Sequence, residues 1–219
     1  DMGTPVNATQ GATIAHTATI TDDDNGPSVT LSVDNANIAE ASGAATFTAT
    51  LNAVSGLDVT VNLDVTGTAT GGSTDYTLAG SPIVITAGNL TGTATVTADQ
   101  DLLDENNETV IVDIDTVDNG TESGAQSETT TITDDDATPT VTFTTASQSS
   151  TDETGTMTIT AQLSAASGLN VDVPFTVDGA STATLTDDYT ISGSPITITE
   201  GTTTANITIT ISTDVLDED

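Results

Sequence analysis

The sequence predicts an all-β protein made of tandem antiparallel Greek-key β-sandwiches, each of about seven strands. Three observations lead there. Segments of four to eight residues alternate apolar with polar side chains or run β-branched, and no helical period competes. Gly, Pro, Asn and Asp punctuate them. Long stretches then recur 112 or 113 residues further along the chain, the signature of repeated domains.

The strands follow in order. SVTLSV (28–33) sets Val29, Leu31 and Val33 against Ser and Thr. ATFTATL (45–51) does the same around Phe47. DVTVNLDV (58–65) puts Val59, Val61, Leu63 and Val65 on one face, because strand side chains alternate with period 2. IVIT (83–86) is short and follows Gly-Ser-Pro. TATVTA (93–98), TVIVDID (109–115) and ETTTIT (128–133) complete the set. Most threonines are expected to face water; an ice-binding array is the competing reading, and a solvated strand face explains them. Seven such strands in about 110 residues make an immunoglobulin-like sandwich.

The repeat has a definite frame. TITDDD occurs at 19–24 and 131–136, and SGLDVTVNLDV (55–65) returns as SGLNVDVPFTV (167–177). TDYT (74–77) matches DDYT (187–190), GSPIVIT (80–86) matches GSPITIT (193–199), and DLLDE (101–105) matches DVLDE (214–218). Residues 1–24 therefore read as the C-terminal strand region of a preceding repeat, 25–136 as a complete domain, and 137–219 as a second domain without its last strands. The chain is expected to be a slice of a longer array.

Composition narrows the function. The 219 residues carry 33 acidic side chains, no Lys or Arg, and a formal charge of −33. Nothing can neutralise phosphates, so nucleic acid is excluded as a partner, and an anionic membrane surface repels the chain. No apolar run is long enough for membrane insertion. Aromatic content is 2%, so the core must come from Val, Ile, Leu and Ala. Disulfides are absent because there is no Cys. An enzyme is not expected: Cys, Lys and Arg are missing, and the single His16 falls in the expected terminal strand as an ordinary side chain. Asp/Glu pairs can hydrolyse glycosides, but no aromatic sugar platform accompanies them. Five N-x-[ST] sequons, at Asn7, Asn89, Asn107, Asn119 and Asn206, read as chance in a Thr-rich chain.

The carboxylates are gathered rather than spread. In the complete repeat they lie at Glu40, Asp75, DQDLLDENNE (99–108) and Asp134–Asp136, each beside a predicted strand end. Strand ends of a sandwich converge at two poles, so these groups can meet. A carboxylate pair about 5 Å apart repels by roughly 3 kcal/mol at an effective dielectric of 20. With no basic side chain, relief must come from protons, counterions or bound cations. Hard oxygen donors favour Ca²⁺, which takes six to eight oxygens, over Mg²⁺ or zinc. An EF-hand does not fit: the Glu due eleven residues after Asp22 is Val33, and after Asp99 it is Val110. A solvated acidic loop and a salt-adapted surface are the competing explanations.

The ordered motifs VTLSV…IAEASGAATFTATL, GTATGGSTDYT, TATVTADQDLLDENNET and a final TITDDD resemble the Calx-β domain. That family includes calcium-sensing domains of sodium–calcium exchangers and bacterial surface-protein repeats. The resemblance implies metal ligands at Glu40, Asp75, Asp99, Asp101, Asp104, Glu108, Asp134, Asp135 and Asp136. Glu105 substitutes, because DENNE is one residue longer than the family spacing; Gln100 stands where the family often has another Asp. It also implies Glu153, Asp188, Asp214 and Asp217 in the second repeat, and Asp22, Asp23 and Asp24 for a site of the preceding one.

The expected function is a Ca²⁺-binding repeat of a large extracellular, cell-surface bacterial protein, stiffened by calcium into an adhesin stalk or fibre. Expected partners are calcium ions, neighbouring repeats, other copies in a fibre, and a surface or glycan target reached through other domains. The alternatives are a filament subunit assembled by strand donation, with 11–24 as donor, and a Ca²⁺-sensing regulatory module.

Overall fold

The computed structural model describes residues 1–148 and 154–213. The first sandwich uses ten strands: β1 (Ser28–Val33), β2 (Asn37–Ala39), β3 (Ala44–Leu51), β4 (Val59–Gly67), β5 (Tyr76–Ala79), β6 (Ile83–Ile85), β7 (Thr91–Ala98), β8 (Glu108–Asp118), β9 (Thr121–Glu122) and β10 (Ser127–Thr133). One sheet has the order β5-β7-β3-β1-β9, the other β2-β10-β8-β4-β6. Neighbours are antiparallel except β1 with β9 and β10 with β2, which run parallel. Among the described residues there is no helix.

Alternation explains the packing. In β3, Ala45, Phe47, Ala49 and Leu51 are buried while the threonines between them are not. In β4, Val59 and Val61 are buried, and Leu63 and Val65 pack against the core. The β4–β8 register shifts at Asn62/Leu63, where Thr116 and Ile114 are successive partners and Asp115 is the extra residue on β8. The bulge lies on β8, so the alternation of β4 is uninterrupted. Thr130 is an exception among the threonines: it is fully buried between the sheets.

Three strands were not expected: β2, β5 and β9 are two to four residues long and lack the continuous β-branched run that marks the equally short β6. One expected strand is absent. Residues 1–27 contain no strand; 11–24 and His16 are exposed. A strand exists by pairing its N–H and C=O groups, and among the described residues no strand pairs with this segment, although Ile14 O accepts from Met2 N–H at 2.6 Å.

The second domain contains β11 (Val141–Phe143), β12 (Thr156–Leu163), β13 (Val171–Val173), β14 (Tyr189–Ile191), β15 (Ile196–Ile198) and β16 (Thr204–Ile211). Its sheets are β11-β12-β16-β14 and β13-β15. They repeat β1-β3-β7-β5 and β4-β6 of the first domain, with no described counterpart of β8 and β10. A cleft of about 370 Å³ is lined by Met157, Tyr189, Ile191, Ile209 and Ile211 of β12, β14 and β16.

Candidate metal centre

Five strands begin or end at one pole of the first sandwich, and each delivers an acidic residue there. Glu40 follows β2, Asp75 precedes β5, Asp99 follows β7, Glu108 begins β8 and Asp134 follows β10. The pairings force these ends together. Tyr76 is opposite Ala98, Thr133 opposite Ala39, and Ile132 opposite Glu108. Residues far apart in sequence thus line one small cavity: Glu40, Asp75, Asp99, Glu105, Asn106, Glu108 and Asp134, with Ile132 as its floor. The cavity measures about 10 Å³, about one water-sized sphere.

Local bonds hold the donors in place. Glu40 is 7% exposed; its N–H donates to Thr133 O at 3.0 Å. The turn behind it needs Gly43, because a Cβ there would lie 2.7 Å from Ala39 N. Asp101 N–H donates to Glu40 Oε1 at 3.1 Å, and Leu103 N–H donates to Asp101 Oδ1 at 2.7 Å. Asp99 N–H donates to Asp75 O at 3.0 Å. Asp134 N–H donates to Asn107 Oδ1 at 3.2 Å, so Asn107 is a supporting residue, not only a sequon.

Two trios of carboxylates result. Glu40, Asp101 and Asp136 offer oxygens all within 4.8 Å of one another, and so do Asp75, Glu105 and Glu108. A pair at that spacing repels by about 3 kcal/mol at an effective dielectric of 20. Burial raises the pKa of Glu40, and the charges of Asp101, Asp134 and Asp136 push it further. Burial likewise raises Glu105, helped by Asp101 and Asp75, and Asp136, helped by Asp134 and Asp135. Glu108 is pushed up to about 7, by burial first and then by its hydrogen bond to Asp75 and that group's charge. Asp99 Oδ2, Asp134 Oδ1 and Asp136 Oδ2 are buried with no hydrogen-bond partner. Buried acceptors without donors are costly. A hard cation fits this donor set, because it would satisfy the orphaned oxygens and cancel the repulsion together.

The remaining sequence candidates belong to neither trio. Asp135 is exposed, because alternation continues past β10 and turns only Asp134 and Asp136 inward. Asp104 belongs to neither trio; its Oδ1 accepts from Thr138 Oγ1 at 3.0 Å. Asp22, Asp23 and Asp24 are exposed, and Asp22 and Asp24 line a cleft with the 54–57 and 119–121 loops, away from this pole. Asp188 repeats the setting of Asp75: each carboxylate accepts from a Thr N–H, Thr184 or Thr70, in the preceding turn. Glu153, Asp214 and Asp217 lie outside the described residues.

A family model described as the Calx-beta domain matches residues 22–136 and 134–219. A search of curated proteins returns no significant match. Among solved structures, the chain is 18% identical to one described as the crystal structure of CBD12 from CALX1.2, covering 80% of this chain and 72% of that one, with a TM-score of 0.39. A second, the crystal structure of calcium binding domain CBD12 of CALX1.1, is 17% identical over 81% and 72%, with a TM-score of 0.40.

Proposed function

Because the chain belongs to the Calx-beta domain family, we propose that it is a calcium-binding structural repeat of a large extracellular surface protein, forming a stalk or fibre of the adhesin kind. The carrying observation is the convergence of two carboxylate trios and three orphaned acidic oxygens at one pole in a chain without Lys or Arg. Glu40, Asp101 and Asp136 would hold one ion, and Asp75, Glu105 and Glu108 another, and Asp99 and Asp134 line the same cavity with orphaned oxygens. Bound Ca²⁺ supplies charge neutralisation and fixes the five strand ends relative to one another. Extracellular calcium-binding modules work at about 10⁻⁴ to 10⁻³ M, which millimolar calcium outside a cell fills.

The centre also borders the link to the second domain. Asp136 is four residues before Thr140, whose N–H donates to Ser164 Oγ of the second domain at 3.0 Å. Cation binding at Asp136 would restrain that link and stiffen the array. At a tenfold excess over Kd, each ion adds about 1.4 kcal/mol to the folded state. The test is thermal unfolding and small-angle scattering of the full chain in calcium and in EGTA. A higher melting temperature and a stiffer, more extended particle in calcium are expected. Identical melts and scattering profiles would overturn the reading.

A further inference from the structure

The second domain reaches into the first domain's carboxylate pole through a serine–glycine step. Ser167 precedes β13 and is 1% exposed. Its loop is internally fixed: Leu169 N–H donates to Ser167 Oγ at 3.1 Å and Gly201 N–H donates to Ser167 O at 2.8 Å. From this loop, Ser167 Oγ and Gly168 N–H both donate to Asp104 O, at 3.1 and 3.2 Å. The next residue, Glu105, lies across Gly168. A Cβ there would overlap Glu105 Oε1 and stand 2.5 Å from its Cγ and 2.8 Å from its Cδ. The side chain that fills the space of the missing Cβ is thus a member of the Asp75–Glu105–Glu108 trio.

The chain carries its own control for this contact. Ser55–Gly56–Leu57 is the same loop in the first domain, with the same internal bonds: Leu57 N–H to Ser55 Oγ at 3.0 Å and Gly88 N–H to Ser55 O at 2.9 Å. A Cβ at Gly56 would have nothing within 4 Å, and Leu57 is 62% exposed. Neither Gly56 nor Gly168 has a positive φ, so alanine suits both backbones. Alanine at 168 would meet only the Glu105 side chain among its three nearest atoms, so its accommodation displaces that side chain or draws the 167–168 loop away from it.

We propose that Ser167 and Gly168 are positioning residues for the first domain's metal centre: the second domain seats Asp104 and holds Glu105 against Asp75 and Glu108. The affinity of a centre built on one domain is therefore set in part by the next. This rests on the calcium reading above. Loss of a contact that orients a metal ligand weakens affinity about 10- to 100-fold.

The test is calorimetric Ca²⁺ titration of the full chain, with Glu108→Gln marking the step that belongs to this trio. Gly168→Ala is expected to weaken that step about tenfold or more, while Gly56→Ala leaves it unchanged. Glu105→Asp, one methylene shorter, is expected to weaken binding alone but to recover part of the loss in the Gly168→Ala background. In EGTA, Gly168→Ala is expected to melt with the wild type, which a merely structural role would not allow. Binding by Gly168→Ala within twofold of wild type, an equal loss in Gly56→Ala, or a lowered melt in EGTA overturns this inference alone. Absence of calcium uptake by the wild-type chain overturns the calcium reading and this inference with it.

Discussion

Glu108 shows at the scale of one residue what the pole does to its acids. Its pKa rises from the usual 4.5 to about 7, so the folded protein holds a proton that the unfolded chain has released. The stability this group contributes is complete below about 4.5 and is lost as pH rises through about 7, because the native state binds more protons across that window. Glu40, Glu105 and Asp136 shift in the same direction. Calcium competes with those protons. In EGTA the melting temperature is expected to fall between pH 4.5 and 7, and the gain from calcium to grow over the same range. A calcium-free melt that rises with pH through this window would contradict the assignment. These acids could be nominated from the sequence, since each flanks a strand. Their inward or outward direction could not: Asp134 and Asp136 turn in and Asp135 turns out because β10 stops at Thr133 without breaking its alternation.

At the scale of the element, β10 carries a second consequence. Thr130 lies in its centre, fully buried, and its Oγ1 has no hydrogen-bond partner. A hydroxyl desolvated without a partner costs about 1–3 kcal/mol, and valine has nearly the same shape. Thr130→Val is expected to stabilise the first domain by about 1 kcal/mol or more in chemical denaturation; a destabilised variant would show that the hydroxyl is satisfied in solution. Long strands such as β3 and β7 were legible from their period. The short strands β2, β5 and β9 were not, whereas β6, equally short, was betrayed by its Ile-Val-Ile run; pairing rather than propensity makes the other three strands. Residues 11–24 have a strand-like pattern but no paired strand among the described residues.

Over the whole molecule, the two domains differ in what they bury. The first encloses nineteen buried hydrophobic residues in one cluster and the described part of the second encloses six. At about 25 cal/mol per Å² of apolar surface, the larger cluster supplies the larger hydrophobic stabilisation among the described residues. The second domain is expected to melt at the lower temperature, with amides of β12 and β16 exchanging faster than those of β3 and β8. A single transition with equal protection in both would refute it.

The sequence by itself determined that this is a tandem all-β protein, which residues repeat, and that its acids gather at strand ends without a base among them. Those properties are local, since alternation, turn residues and composition lie along the chain. Only the tertiary structure decided how the acids are shared out. Strand pairing grouped Glu40 with Asp101 and Asp136, and Asp75 with Glu105 and Glu108. It left Asp22–Asp24 outside, and brought Gly168 of the second domain against Glu105. Such groupings depend on register and on the packing of one sheet upon another, and contacts between distant residues leave no period in the sequence.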